Sequence, residues 1–181
     1  MKARAAMLWG PEDTAWSLED VEIDEPQGAE MLVRNVASGL CHSDEHFITG
    51  DMPHGGYPWI AGHEGAGIVE AVGPDVRGVV PGDHVVYSFV AVCGQCPSCA
   101  DGHSNLCDNG AQVMSGRMLD GTSRIHVNGQ DALIMAGLGT FATHSVVHEW
   151  SAVKVLPDLP LDKIVLLGCG ATTGWGSSVY A

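Results

Sequence analysis

Between residues 93 and 107 the chain reads Cys-Gly-Gln-Cys-Pro-Ser-Cys-Ala-Asp-Gly-His-Ser-Asn-Leu-Cys, a polar stretch broken by glycine and proline that holds four of the six cysteines. Cys93, Cys96, Cys99 and Cys107 are separated by two, two and seven residues. Gaps of two let successive thiolates converge on one point, and four thiolates complete the tetrahedral shell of Zn2+ with no position left for chemistry. The expectation is a closed, structural metal site. Four-sulfur sites also suit iron, so the spacing defines the ligand set more firmly than the metal. A redox Cys-x-x-Cys would need a strand-to-helix setting and gives Cys99 and Cys107 no role, and disulfides belong to oxidising compartments. Structural zinc binds with apparent free energies of about 10–16 kcal/mol, as large as the net stability of a whole domain, about 5–15 kcal/mol. Loss of the metal is therefore expected to collapse at least the loop.

Composition limits the partners. With 45% hydrophobic residues in 181, the chain has material for one domain with a real core. It carries 22 acidic against 8 basic residues, a net charge of -14. That charge opposes phosphate backbones and anionic lipid surfaces, so no nucleic acid and no membrane partner is expected. The apolar run at residues 5–9 is too short for a signal peptide core, and no stretch approaches a membrane span. A reducing cytoplasm follows as the expected location.

Along residues 1–164 the pattern is of short strands cut by turn chemistry, with candidate strands at 31–36, 67–72, 84–90 and 141–147. Val72-Gly73-Pro74-Asp75 and Pro81-Gly82-Asp83 supply the turns. Regular turns between short strands predict a small barrel or sandwich. The apolar run Ile164-Val165-Leu166-Leu167 leads into Gly168-Cys169-Gly170 and a helix start with Thr172 or Thr173 near its cap. The chain stops without a helix-ending signal, as a truncated chain does.

The remaining cysteines are Cys41, in Gly39-Leu40-Cys41-His42-Ser43-Asp44, and Cys169. His63 lies in Gly62-His63-Glu64-Gly65-Ala66-Gly67. Alone, such a cysteine reads as a small buried hydrophobe and such a histidine as a hydrogen-bonded residue. Together with the four-cysteine loop and Gly168-Cys169-Gly170-x-x-Thr173-Gly174, they resemble the zinc-dependent medium-chain alcohol dehydrogenases, in order and over essentially the whole chain. Within that family the nicotinoprotein branch, which recycles a bound nicotinamide with a nitrosoaniline, is the most similar.

The resemblance implies a mainly β fold with short helices, a GroES-like partly open barrel carrying the structural-zinc loop 93–107. Residues 1–181 would form one zinc-binding catalytic domain, with 165–181 beginning the connection to an absent coenzyme domain. It implies that Cys41, His63 and Cys169 hold a catalytic zinc with a fourth position open, and that Cys93, Cys96, Cys99 and Cys107 hold the structural one. Two cysteines and one histidine are a ligand set already known for alcohol dehydrogenases, so this is a match and not a derivation. Glu64 would be an alternate or outer ligand, and Asp44 would orient the His63 imidazole through its other nitrogen. Ser43 would take the substrate's hydroxyl proton and His46 would release it at the surface, by way of the cofactor ribose. His42 and Thr173 would touch NAD(H) or NADP(H), His42 less firmly than an arginine would. Phe89 is either a wall of the alcohol pocket or a core residue of a strand.

The chemistry asks for a metal because an alcohol resists ionisation at neutral pH. In a three-histidine site zinc lowers the pKa of water from ~15.7 to ~7, about 12 kcal/mol. Two thiolates offset the metal's charge and should reduce that shift. Even half of it exceeds the ~3–5 kcal/mol of a general base alone. The expected reaction is oxidation of a small alcohol to an aldehyde or ketone by hydride transfer to nicotinamide. The alternatives are a non-catalytic zinc-binding fragment, or a dehydrogenase of a formaldehyde adduct or a polyol. Neither Gly137-Leu138-Gly139 nor Gly168-Cys169-Gly170 completes a Gly-x-Gly-x-x-Gly phosphate cradle, since Ala142 and Thr173 occupy the third position. The 181 residues alone are therefore expected to bind zinc with little turnover, and an oligomer is left open for the full-length protein.

Overall fold

The computed structural model describes residues 1–110 and 115–180. The expected single domain at 1–181 also includes residues 111–114 and Ala181, which lie outside the described residues. Among the described residues, eleven strands form two sheets. The first contains β1 (Lys2–Leu8), β2 (Ser17–Ile23), β4 (Trp59–Ile60), β7 (Ile125–Val127), β8 (Gln130–Asp131) and β9 (Leu133–Ile134), in the order β8-β7-β2-β1-β4-β9. The second contains β3 (Glu30–Ser38), β5 (Gly65–Val72), β6 (His84–Tyr87), β10 (His144–His148) and β11 (Ala152–Val155), in the order β10-β3-β5-β6-β11. Every pairing is antiparallel except β4 with β9. The architecture is mainly β with short helices, as expected.

Strand alternation explains the core. In β1, Ala3, Ala5 and Met7 are buried while Lys2 and Arg4 face solvent. This two-residue period sends one face to the core. Ala5 and Met7 join Val21, Ile23, Ile60 and Val146 in one cluster. Met31, Val33, Val69, Val85 and Val147 build another with Phe47 and Trp59. Leu161 and Val165 cover Ala66 and Val86 on the second sheet. They hold down the last segment, each such side chain contributing about 1.5–3 kcal/mol when fully buried.

Strands expected at 31–36 and 67–72 fall within β3 and β5. The strand expected at 84–90 ends at Tyr87, because Ser88 N–H turns to Ser151 O (2.8 Å) and Ser88 Oγ donates to Val90 O (3.1 Å). The one expected at 141–147 begins only at His144. Before it, Phe141 and Thr143 bond across to β1, with Ala6 N–H donating to Phe141 O and Thr143 N–H to Arg4 O. The helices are short: α1 (His42–Thr49), α2 (Pro97–Ala100), α3 (Leu161–Ile164) and α4 (Gly170–Tyr180). Helix α4 starts at Gly170, so Thr172 and Thr173 sit in its first turn and not at its cap. Among the described residues no helix is long and apolar enough to cross a membrane.

Candidate metal centres and the cavity beside them

The four cysteines of the loop converge. One sulfur from each of Cys93, Cys96, Cys99 and Cys107 lies within 4.8 Å of all the others, and all are free thiols. Pro97 opens α2, so Cys96 stands at its start and Cys99 one turn on. The backbone aims donors at the sulfurs, with Cys96 N–H on Cys93 Sγ at 3.3 Å and Asp108 N–H on Cys96 Sγ at 3.4 Å. The N–H groups of Gln95 and Cys96 favour a thiolate at Cys93 and lower its pKa to about 6. Desolvation, helped by the neighbouring sulfurs, pushes Cys99 up to about 12. Four sulfurs this close cannot all ionise without a cation among them, and with one they form a closed tetrahedral donor set.

The second cluster gathers residues from three distant parts of the chain. Cys41 caps α1, His63 and Glu64 lie between β4 and β5, and Cys169 directly precedes α4. Ligand atoms of Cys41, His63, Glu64 and Cys169 all lie within 4.8 Å of one another. Glycines permit this approach. Gly62, with φ of 90°, packs where a Cβ would meet Thr140 and Phe141, and a Cβ on Gly39 would collide with Glu64. A Cβ on Gly168 would come within 2.7 Å of Tyr87 O.

Asp44 fastens the arrangement. It is fully buried, its Oδ2 accepts from Cys41 N–H at 3.0 Å, and its Oδ1 accepts from Gly62 N–H at 2.9 Å. His63 Nδ1 lies 3.5 Å from Asp44 Oδ1, an electrostatic contact too long for a good hydrogen bond. The imidazole's other nitrogen is left for the cluster. Burial acts to lower the His63 pKa, but Asp44 and Cys41 outweigh it and raise the value. Burial alone would raise the Cys41 thiol; the Ser43 N–H and hydroxyl, with His63, hold it below its ordinary value. Desolvation, with the charges of Cys41 and Glu64, raises Cys169. Glu64 Oε1 accepts from Gly170 N–H at 3.0 Å, whereas Oε2 is buried with no partner among the described residues. An orphaned carboxylate oxygen beside two thiols and an imidazole suits a bound cation.

The other expected site residues divide. Ser43 and Phe89 line a cavity of about 140 Å3 next to His63 and Cys169. His46 sits further along α1, with Nδ1 3.5 Å from Asp51 Oδ2 and its ring edge-on to His42 at 4.7 Å between centroids. His42 and Thr173 are exposed and outside the cluster, though Thr173 Oγ1 is 3.9 Å from Cys169 Sγ. Phe47, Trp59, Met135 and Ala136 also line the cavity and were not foreseen. Ala136, a non-glycine residue at φ of 56°, marks its wall with a rare backbone conformation that composition alone does not reveal.

A mainly β domain with one closed thiolate cluster and one mixed cluster beside a cavity is a recognisable class, and the comparisons give it a family. Residues 27–158 match the model described as the alcohol dehydrogenase GroES-like domain. Alcohol dehydrogenase B of Mycobacterium tuberculosis is 47% identical over 180 residues, covering 99% of this chain and 48% of the relative. The NDMA-dependent alcohol dehydrogenase of Amycolatopsis methanolica is 48% identical over 182 residues, with 100% and 48% coverage. The crystal structure of an alcohol dehydrogenase zinc-binding domain protein from Burkholderia ambifaria superposes with a TM-score of 0.90 at 37% identity, covering 98% of this chain and 48% of that one. The chain belongs to the alcohol dehydrogenase GroES-like domain family, and it spans about half the length of the curated relatives it matches.

Proposed function

We propose that this chain is the zinc-binding catalytic part of an alcohol dehydrogenase, with a structural zinc on Cys93, Cys96, Cys99 and Cys107 and a catalytic zinc on Cys41, His63 and Cys169. The convergence of Cys41, His63, Glu64 and Cys169 carries this reading, because three chain segments come together around an orphaned carboxylate oxygen next to a cavity. Zinc, when bound there, supplies a Lewis acid that eases ionisation of an alcohol. The chain's own residues do the rest. Ser43 lines the cavity beside His63 and Cys169, where its oxygen could accept the proton of a substrate hydroxyl as its own hydrogen passes outward. His46, three residues on and on the same side of α1, stands at the surface beside Asp51, where an imidazole can hand that proton to water. Asp44 holds the backbones of Cys41 and Gly62 in register, and Glu64 offers an alternate carboxylate ligand.

Nicotinamide belongs to this reading through the longer relatives. Among the described residues the only parallel strand pair is β4 with β9, and Gly170 N–H is already taken by Glu64. These residues do not form a dinucleotide cradle, and His42 and Thr173 would touch a nicotinamide cofactor held by a longer chain. The apolar lining of the cavity favours an alcohol over a polyol, whose extra hydroxyls would lose their partners there. A reducing, cytoplasmic setting suits both thiolate clusters.

Elemental analysis tests the reading. Both clusters filled gives two zinc ions per chain, and Cys41→Ser with Cys169→Ser reduces this to one. A purified chain that holds a single zinc, unchanged by those substitutions, would sink the catalytic assignment.

A further inference from the structure

We infer that His42 and His46 form a third metal site, separate from the two cysteine clusters, which takes one divalent ion of the zinc and nickel class at the surface of α1. The two residues lie four positions apart on that helix. This spacing sets them one above the other on the same face. Their rings stand edge-on with centroids 4.7 Å apart, the one close pair of imidazoles among the described residues. Two histidines four apart on a helix face are an established way to hold zinc. Ser43 stands where the metalloprotease form of that pattern has its glutamate base, so this pair binds an ion without the hydrolytic chemistry.

The surroundings suit an ion. Asp51 Oδ2 lies 3.5 Å from His46 Nδ1 and accepts from Thr49 Oγ1 at 2.7 Å. A carboxylate beside one ring nitrogen orients an imidazole and leaves its other nitrogen for a metal. Thr49 in turn holds the carboxylate. His42 is exposed and the His46 side chain is 36% exposed, so both rings can turn toward a shared ion whose remaining positions are filled by water. Imidazole suits Zn2+, Ni2+ and Cu2+, whereas Mg2+ and Ca2+ prefer oxygen. The net charge of -14 draws cations to the chain. Other histidines at the surface lack a second ring: His103 has Asp101 beside it, and His126 has a carboxylate at each nitrogen. An imidazole that holds an ion cannot carry a proton, so an occupied site opposes the role given to His46 above. That consequence rests on the proposed function; the binding of the ion does not.

Calorimetric titration of the untagged, zinc-loaded chain with Ni2+ tests the site, and elemental analysis of the same samples counts the zinc. One Ni2+ per chain should bind, and Mg2+ should not. His42→Gln and His46→Gln should each weaken nickel at least about tenfold, and Asp51→Asn, which removes an outer carboxylate, about tenfold. His103→Gln should leave the titration unchanged. Nickel binding that survives both histidine substitutions on α1, or that falls equally in His103→Gln, would overturn the inference. So would nickel binding that disappears in the Cys41→Ser, Cys169→Ser chain, which would assign the ion to the second cluster. An unaffected Asp51→Asn chain would overturn the part given to that carboxylate. A single zinc per chain, with the nickel titration intact, would overturn the catalytic-metal reading and leave this site standing. If one histidine variant does not fold by circular dichroism, the other decides.

Discussion

At the scale of single residues, Asp44 braces the second cluster from outside the set of side chains that could touch a metal. Its two oxygens tie Cys41 N–H and Gly62 N–H, so one buried carboxylate sets the spacing between the loop that carries Cys41 and the one that carries His63. Asp44→Ala leaves the Gly62 N–H without its partner, and hydrogen bonds to charged groups are each worth about 1.5–3 kcal/mol. We expect a matching fall in stability by urea titration. Zinc binding at the second cluster should weaken about 10–100-fold, the usual effect of losing an outer support. Zinc binding at the four-cysteine loop should be unchanged. From resemblance, Asp44 was expected to orient the imidazole; its Oδ1 lies 3.5 Å from His63 Nδ1, and its shorter bonds go to the backbone N–H groups of Cys41 and Gly62.

At the scale of elements, the strands rich in valine were legible and the short elements were not. β3 and β5 alternate or run apolar long enough to be read, whereas β4, β8 and β9 have two residues each and exist only through their neighbours. Helix α1 escaped notice because only Asp44 and Phe47 of its eight residues are buried, too few for a stripe of helical period. One short pairing carries a titratable clasp. His126, on β7, places Nε2 2.9 Å from Asp24, just past β2, and Nδ1 3.1 Å from Asp131 on β8. The Asp24 hydrogen bond, with the charges of both carboxylates, raises its pKa. A raised histidine stabilises the fold fully below its unfolded value, ~6.5, and ceases to do so as pH rises through the higher folded value. Thermal melts of the wild type and His126→Gln should differ most below about pH 6.5 and converge in alkali. A gap that widens with pH would contradict this.

At the scale of the whole molecule, the two sheets are joined by a buried ion pair. Arg124, beside β7 in the first sheet, meets Glu30, at the start of β3 in the second, through Nε–Oε2 at 2.8 Å and Nη2–Oε1 at 2.9 Å. Asp120 adds a third contact to the guanidinium at 2.5 Å, and its hydrogen bonds to Thr122 and Arg124 outweigh desolvation to hold its pKa at about 2. Removing one member of a buried pair strands the other. Arg124→Met should therefore cost about 3–5 kcal/mol by denaturant titration, and adding Glu30→Leu should recover much of it. Equal losses in the single and double variants would show that the pair does not couple the sheets.

The sequence by itself determined the closed thiolate site, because ligands two and seven residues apart converge through local turns whatever surrounds them. It also carried enough motif, in order, to indicate the family and a mainly β fold. Only the tertiary structure decided that Cys41, His63, Glu64 and Cys169 share one point, since they come from segments whose meeting depends on how the sheets curl and on glycines that admit close backbone contact. The cavity is tertiary for the same reason. Its walls come from α1 and the loop after it, β4, His63, the turn at Met135–Gly137, the segment after β6 and Cys169, and no local pattern encodes the space that they leave between them.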